Sequence, residues 1–487
     1  MNHLSNTLLV AGGAMAAASC AQPKSVHQRP NIVFILADDL GWGDLSCYGQ
    51  QRFQTPNIDS LAGNGLRFTQ CYSGTTVSAP SRSCLITGTH SGHTPIRGNL
   101  ELDPEGQFPL PAASASIFQD LKRAGYVTGA FGKWGLGFIG STGDPQQQGI
   151  DHFFGYNCQL LAHSYYPDHL WDNSTRIELD TDLPYGAGVY APDLIHEKAL
   201  AFLDDAVAEG KPFFMWYPTT IPHAELLVPE DSIMRHFRGM YPEQPYHGTD
   251  SGPFFRKGGY CSQESPRATF AAMVTRLDAY VGDIVRHLQD LGVYDNTLII
   301  FASDNGPHKE GGADPDFFDS NGPWRGYKRD VYEGGIRVPM IVSWKGHIAP
   351  GGESDFVCSF WDLMPTFREL TGEASADGLD GVSLLPLWEG RPGQQEHAYL
   401  YFEFQELGGR QAVREGPWKL VHLDIRSDAP RYELYNLDED PGETRNLAAE
   451  FPDVLARLQA LMTEAHVPNP HFPVLKGETA SALPETL

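Results

Sequence analysis

The sequence predicts an α/β fold followed by a smaller antiparallel unit, and three observations carry that expectation. Four apolar runs of strand length lack a polar face: "NIVFILADD" (31–39), "GYVTGAFGKWG" (125–135), "KPFFMWYPTTIPH" (211–223) and "NTLIIFASDNG" (296–306). Continuous runs of this kind suit strands buried on both faces of a parallel sheet. Helical patterns lie between them, and alternation of strand and helix is the α/β signature. Past about residue 390 the texture changes to short strands and turns.

In chain order, residues 1–22 read as an export signal. The apolar run Leu8–Ala18 is shorter than the roughly 20 residues that span a bilayer. Ala17-Ala18-Ser19-Cys20 resembles a bacterial lipobox, so Cys20 is the expected site of lipidation and the protein is expected in the periplasm, anchored to the membrane only through that lipid. Residues 23–390 are assigned to the α/β catalytic domain and 391–487 to a C-terminal α+β subdomain. "SASIFQDLKRAG" reads as a helix with a glycine stop. In "RATFAAMVTRLDAYVGDIVRHLQDLG", Phe270, Met273, Leu277, Tyr280, Val281, Ile284 and Leu288 fall on one helical face. "EHAYLYFEF", "RQAVREGPWKLVHL" and "RYELYNLDEDPGE" read as short strands, and "FPDVLARLQALMTEA" as the closing helix.

The formal net charge is -26, which argues against a nucleic-acid partner. An anionic substrate is not excluded, because charges beyond about 8 Å are largely screened at physiological salt. Apart from Cys20, the cysteines are Cys47, Cys71, Cys84, Cys158, Cys261 and Cys358. None forms a CxxC pair, and they read as small buried hydrophobes.

Each apolar run ends in a residue that carries chemistry. In open α/β sheets sites gather at the carboxyl ends of the strands. Asp38 and Asp39 at one end, with Asp304 and Asn305 at another, make four hard oxygen donors suited to Ca²⁺ or Mg²⁺. Lys133 sits between glycines in "FGKWGLG" and Lys328 in a second glycine-rich loop. With Arg82 and His223 they supply positive charge. A dication with cations around one point describes a site for a tetrahedral oxyanion.

The stretch Ser78-Ala79-Pro80-Ser81-Arg82-Ser83-Cys84-Leu85-Ile86-Thr87-Gly88 resembles the signature of type I sulfatases, (Cys/Ser)-x-Pro-Ser-Arg-x-x-Leu-x-Thr-Gly. "ADD", "GKWGLG", "PH" at 222–223, "SDNG" and "GYK…YEGG" follow the family's order over about residues 30–340. The resemblance implies an alkaline phosphatase-like fold: a large mixed, mostly parallel sheet flanked by helices, with a small C-terminal antiparallel sheet plus helix. It implies that Ser78 is oxidised to formylglycine by an anaerobic radical-SAM maturing enzyme. The hydrated aldehyde then attacks sulfur, and its second hydroxyl expels sulfate, so two easier steps replace one hard one. It also implies that Asp38, Asp39, Asp304, Asn305 and residue 78 bind Ca²⁺, with Mg²⁺ the second choice. Arg82, Lys133, Lys328 and His223 are implied catalytic, with His223 or Lys328 protonating the leaving oxygen.

One position departs. The commonest family form is Gly-Lys-Trp-His-Leu-Gly, and Gly135 stands where that histidine would be. His163 and His308 are the candidates to replace it and to bind substrate. The expected activity is an exported sulfatase acting on sulfated carbohydrate of galactose or N-acetylgalactosamine type, with residues 156–176 and 230–260 shaping the sugar pocket. The alternatives are a phosphonate or phosphodiester hydrolase of the same superfamily and an unmatured glycan-binding relative.

Overall fold

The computed structural model describes Met1 and residues 29–482, so Cys20 and the export segment lie outside the described residues. Eleven strands form one sheet: β1 (Asn31–Ala37), β2 (Leu66–Tyr72), β3 (Val127–Lys133), β4 (His152–Tyr156), β5 (His169–Asp172), β6 (Thr175–Glu178), β7 (Phe213–Pro218), β8 (Thr297–Ser303), β9 (Arg337–Ser343), β10 (Gly352–Ser354) and β11 (Cys358–Ser359). Their order is β10-β2-β9-β8-β1-β7-β3-β4-β5-β6, with β11 beside β2. The centre, β8-β1-β7-β3-β4, is parallel throughout. β9 runs antiparallel to β8 and β2, and β5 to β4. The sheet is therefore mixed and mostly parallel, as predicted.

The lack of a polar face in β1 has a direct cause. Val33, Ile35 and Ala37 pack on one side with the helices Ala191–Ala208 and Pro266–Asp290. Ile32, Phe34 and Leu36 pack on the other with the helices Ile117–Arg123 and Leu363–Thr371. All seven residues of β1 are buried, and each large apolar side chain taken fully from water is worth about 1.5–3 kcal/mol.

The C-terminal strands β12 (Leu400–Phe404), β13 (Arg410–Glu415), β14 (Trp418–Leu423) and β15 (Arg431–Asn436) form an antiparallel meander, with the helix Pro452–Ala465 packed on it. The meander meets the catalytic unit through Tyr72, Cys84, Tyr332 and Trp361, which share a core with Leu400 and Phe402. Among the described residues no helix is long and apolar enough to cross a membrane. The six described cysteines are free thiols, and all but Cys47 are buried.

Candidate active site

The sheet register builds the acidic half of the site. Ala37 of β1 pairs with Ser303 of β8, so the residues that follow each strand emerge side by side. The Asp304 amide donates to the Ala37 carbonyl at 3.0 Å, and the Asp39 amide donates to Asp304 Oδ1 at 3.1 Å. Oxygens of Asp38, Asp39 and Asp304 lie within 4.8 Å of one another, and all three residues are buried. Asn305 Nδ2 donates to Asp39 Oδ1 at 2.7 Å, which leaves Asn305 Oδ1 buried without a partner. A buried oxygen with no donor, beside three crowded carboxylates, fits a hard cation in the cluster.

The electrostatics agree. Burial and the neighbouring Asp38 push the Asp304 carboxyl up, against the pull of Arg82. Burial would raise Asp38 too, but Lys133, His223 and Arg82 hold it well below the carboxylate range. Asp39 is held down against its burial by Lys328 and His223.

Ser78 opens the helix Ser78–Thr87, with Val77 extended before it. The helix starts at Ser78 itself and accommodates Pro80 in the first turn, where a missing N–H costs nothing. Ser78 Oγ thus lies at the positive end of the helix, donates to Asp38 Oδ1 at 3.0 Å and receives Lys133 Nζ at 3.3 Å. Arg82, one turn on, grips Asp304 Oδ2 through Nε at 3.1 Å and Nη2 at 2.9 Å, and donates through Nη1 to the Lys133 carbonyl. Lys133, at the end of β3, holds Asp38 Oδ2 at 2.7 Å.

Opposite these lies a wall of loop residues. Lys328 Nζ sits 2.8 Å from Asp39 Oδ2, 2.9 Å from Glu310 Oε2 and 2.9 Å from His223 Nε2. Asp39, His223 and Glu310 are arranged so that they could themselves hold an ion, and the Lys328 ammonium fills that position. His223 Nδ1 donates to the Ala224 carbonyl, so Nε2 is the nitrogen turned to the site. It accepts from Lys328 in the neutral ring. Protonated, it can donate to Asp39 Oδ2 or Glu310 Oε2, each 3.2 Å away.

His163 and His308 stack on the His223 ring at centroid distances of 5.0 and 5.1 Å. At Gly135, where a substitute for the absent histidine is expected, the nearest side chain is that of Gln159. Gly135 has φ +71°, and a Cβ built there would fall 1.9 Å from Gln159 Nε2. The space above Gly135 belongs to Gln159.

Sequence reasoning missed four residues: Gln159, Glu310, Arg329 and Tyr260. Glu310 pairs with Lys328, Arg329 and His223, and despite its burial Lys328, His223 and His308 hold its carboxyl well below the usual range. It stands two positions after His308 in "SDNGPHKEGG", so a polar string was visible there. Tyr260 rests 5.0 Å from His163, and nothing in its local sequence marks it. Four carboxylates (Asp38, Asp39, Asp304, Glu310) face four fixed cations (Arg82, Lys133, Lys328, Arg329). A dication added to that balance leaves net positive charge for an anionic ester.

Comparison with known proteins agrees with this geometry. The sulfatase family model matches residues 30–373, and the model described as N-sulphoglucosamine sulphohydrolase, C-terminal, matches 322–467. The chain is 32% identical to arylsulfatase A of Homo sapiens, over 90% of this chain and 88% of the relative. It is 31% identical to the N-acetylgalactosamine-6-O-sulfatase of Bacteroides thetaiotaomicron, over 89% of this chain and 93% of the relative. The solved structure of Ps i-CgsB in complex with k-i-k-neocarrahexaose superposes with a TM-score of 0.73 at 28% identity, covering 90% of this chain and 92% of the other. With the family model spanning the strand-end aspartates, the Ser78 helix, Lys133, His223 and Lys328, the chain belongs to the sulfatase family and is a sulfuric ester hydrolase.

Proposed function

We propose that the protein is an exported sulfatase that removes sulfate from sulfated carbohydrate of galactose or N-acetylgalactosamine type, using formylglycine made from Ser78 by an anaerobic radical-SAM enzyme and a Ca²⁺ ion. The observation that carries this reading is the setting of Ser78: a buried oxygen at a helix N-terminus, 3.0 Å from Asp38 and 3.3 Å from Lys133, beside the cluster of Asp38, Asp39 and Asp304. The carbohydrate class is supported by relatives named as N-acetylgalactosamine- and N-acetylglucosamine-6-O-sulfatases.

Asp38, Asp39, Asp304 and Asn305 would hold the ion, an all-oxygen set of the kind Ca²⁺ takes. When bound, it neutralises oxyanion charge at residue 78 and at the sulfate. Lys133 steadies negative charge at the residue 78 oxygen. Arg82 orients Asp304 through its two-nitrogen grip. Lys328 and the His223 Nε2 face receive the sulfate oxygens, and a protonated His223 delivers its proton to the departing sugar oxygen. His163 and His308 stiffen that ring by stacking, and His163, 5.0 Å from Tyr260, stands on the sugar side. Export with a lipid on Cys20 would place this chemistry in the periplasm, on the membrane.

Mass spectrometry of the residue 78 peptide from protein made with its maturing enzyme tests the nucleophile. Loss of about two hydrogens marks formylglycine, and unchanged serine would leave a glycan-binding protein. Matured protein assayed on sulfated mono- and disaccharides tests the substrate. An aryl phosphodiester turned over faster than an aryl sulfate would overturn the sulfatase reading in favour of a phosphodiester hydrolase.

A further inference from the structure

Buried side-chain amides without partners are rare in folded proteins, and three of them lie together beside the Lys133 loop. Gln107 Nε2, Asn157 Oδ1 and both Gln159 Nε2 and Oε1 are buried with no hydrogen-bond partner, and each residue is at most 2% exposed. They are linked through the backbone. Gln107 Oε1 accepts from the Gln159 amide at 3.1 Å, and the Asn157 carbonyl accepts from the Gly135 amide at 3.1 Å.

The position of Gln159 follows from two anchors. At one, its carboxamide fills the space over Gly135, two residues past Lys133, whose Nζ reaches Ser78 Oγ. At the other, the chain from Gln159 runs four residues to His163, stacked on His223. Gln159 therefore lies on the stretch of wall between the two cationic groups around residue 78.

The chemistry of the group narrows its ligand. A carboxamide is uncharged, so it adds little to holding sulfate, which Lys133, Lys328 and Arg82 already face. It offers one donor group and one acceptor side by side, a match for an alcohol that accepts through its oxygen and donates through its hydrogen. On the reading of this site as one for a sulfated sugar, we propose that Gln159, its backbone amide held by Gln107 Oε1, binds a ring hydroxyl next to the sulfated carbon. It thereby selects which sulfated position reaches residue 78.

The test compares wild type with Gln159→Met, which keeps volume and removes both polar atoms. Matured proteins are assayed on 4-nitrophenyl sulfate and on the preferred sulfated monosaccharide. The expected result is a loss in kcat/KM of about 10-fold or more on the sugar, carried mainly by KM, and under about 2-fold on the nitrophenyl ester. A sugar analogue lacking the adjacent hydroxyl should lose similarly with wild type, and lose nothing further with Gln159→Met. Equal losses on both substrates, or none on either, would overturn the proposal, the latter leaving the amides satisfied by water alone. Binding of the same sugar to Ser78→Ala protein, measured by calorimetry with and without Gln159→Met, reads the contact without turnover. A weakening of about 10-fold supports it and unchanged affinity refutes it, even if wild type released no sulfate and the sulfatase reading fell.

Discussion

The two halves of the site are built by different means. The acidic half takes Asp38, Asp39, Asp304 and Asn305 from the positions directly after β1 and β8, where the Ala37–Ser303 pairing sets their spacing. The opposite wall takes His163, His223, Glu310 and Lys328 from segments outside the strands. Its support comes from side chains and from the C-terminal sheet: Arg410 of β13 donates to the Arg329 carbonyl at 3.2 Å and pairs with Asp330. A half fixed by register assembles its oxygen donors wherever the sheet forms. A half fixed by loops can be re-lined for another sugar without touching the sheet.

Five substitutions test that division, in falling order of expected effect. Ser78→Ala should lower turnover of matured protein by at least about a thousandfold, in keeping with removal of a nucleophile, with the fold and the metal content measured by mass spectrometry unchanged. Residual activity above that level would deny residue 78 its role. Asp304→Ala should lose metal and activity together and cost about 3–5 kcal/mol in denaturant unfolding, because it strands the Arg82 guanidinium, fully buried, without its carboxylate. Lys328→Met should lower kcat/KM at least about a hundredfold yet keep the metal. Equal metal loss in both variants would erase the distinction between the halves.

The fourth prediction concerns pH. Burial, against hydrogen bonds from Tyr185 and the Tyr165 amide, pushes the Glu225 carboxyl up from 4.5 to about 7. A folded-state value above the unfolded one means that the native chain holds the proton longer. The stability contribution is full below about pH 4.5 and is lost as pH rises towards 7. The change is bounded by about 3 kcal/mol, from 2.5 units at 1.36 kcal/mol each. Glu225→Gln stays neutral throughout, so its stability relative to wild type should rise between pH 5 and 8 in urea titrations. A flat difference would mean that Glu225 ionises normally. The smallest effect is expected of Arg410→Ala, a partly exposed pair worth under about 1 kcal/mol, with kcat/KM down several-fold through the Lys328 loop. No change in rate would separate the C-terminal sheet from the site.

The same division governs what could be read from sequence. Runs such as "NIVFILADD" show a strand and its terminal donors at once, because burial on both faces removes every polar residue until the strand leaves the core. The sheet, the meander and the aspartates were legible for that reason. Gly135 advertised a vacancy, but not its occupant. Gln159 reaches it because β3 and β4 run side by side, with Lys133 level with Tyr156, and that neighbourhood is a property of the folded sheet. His163 and His308 drew notice as histidines, and their rings stack on His223. Glu310 lay beside a motif already noticed, but its role depends on meeting Lys328 and His223 from separate loops.

The Lys328 ammonium, seated among Asp39, Glu310 and His223, has a consequence for inventory. A divalent ion held by Asp38, Asp39 and Asp304 would be exchangeable with the surroundings, whereas the Lys328 ammonium is sewn into the chain. A chelator or a scarcity of divalent ions can remove only the first, so inactivation should follow a single-site curve with one equivalent of metal per chain. The second centre arrives with translation, needs no supply, and cannot be replaced by a contaminating metal.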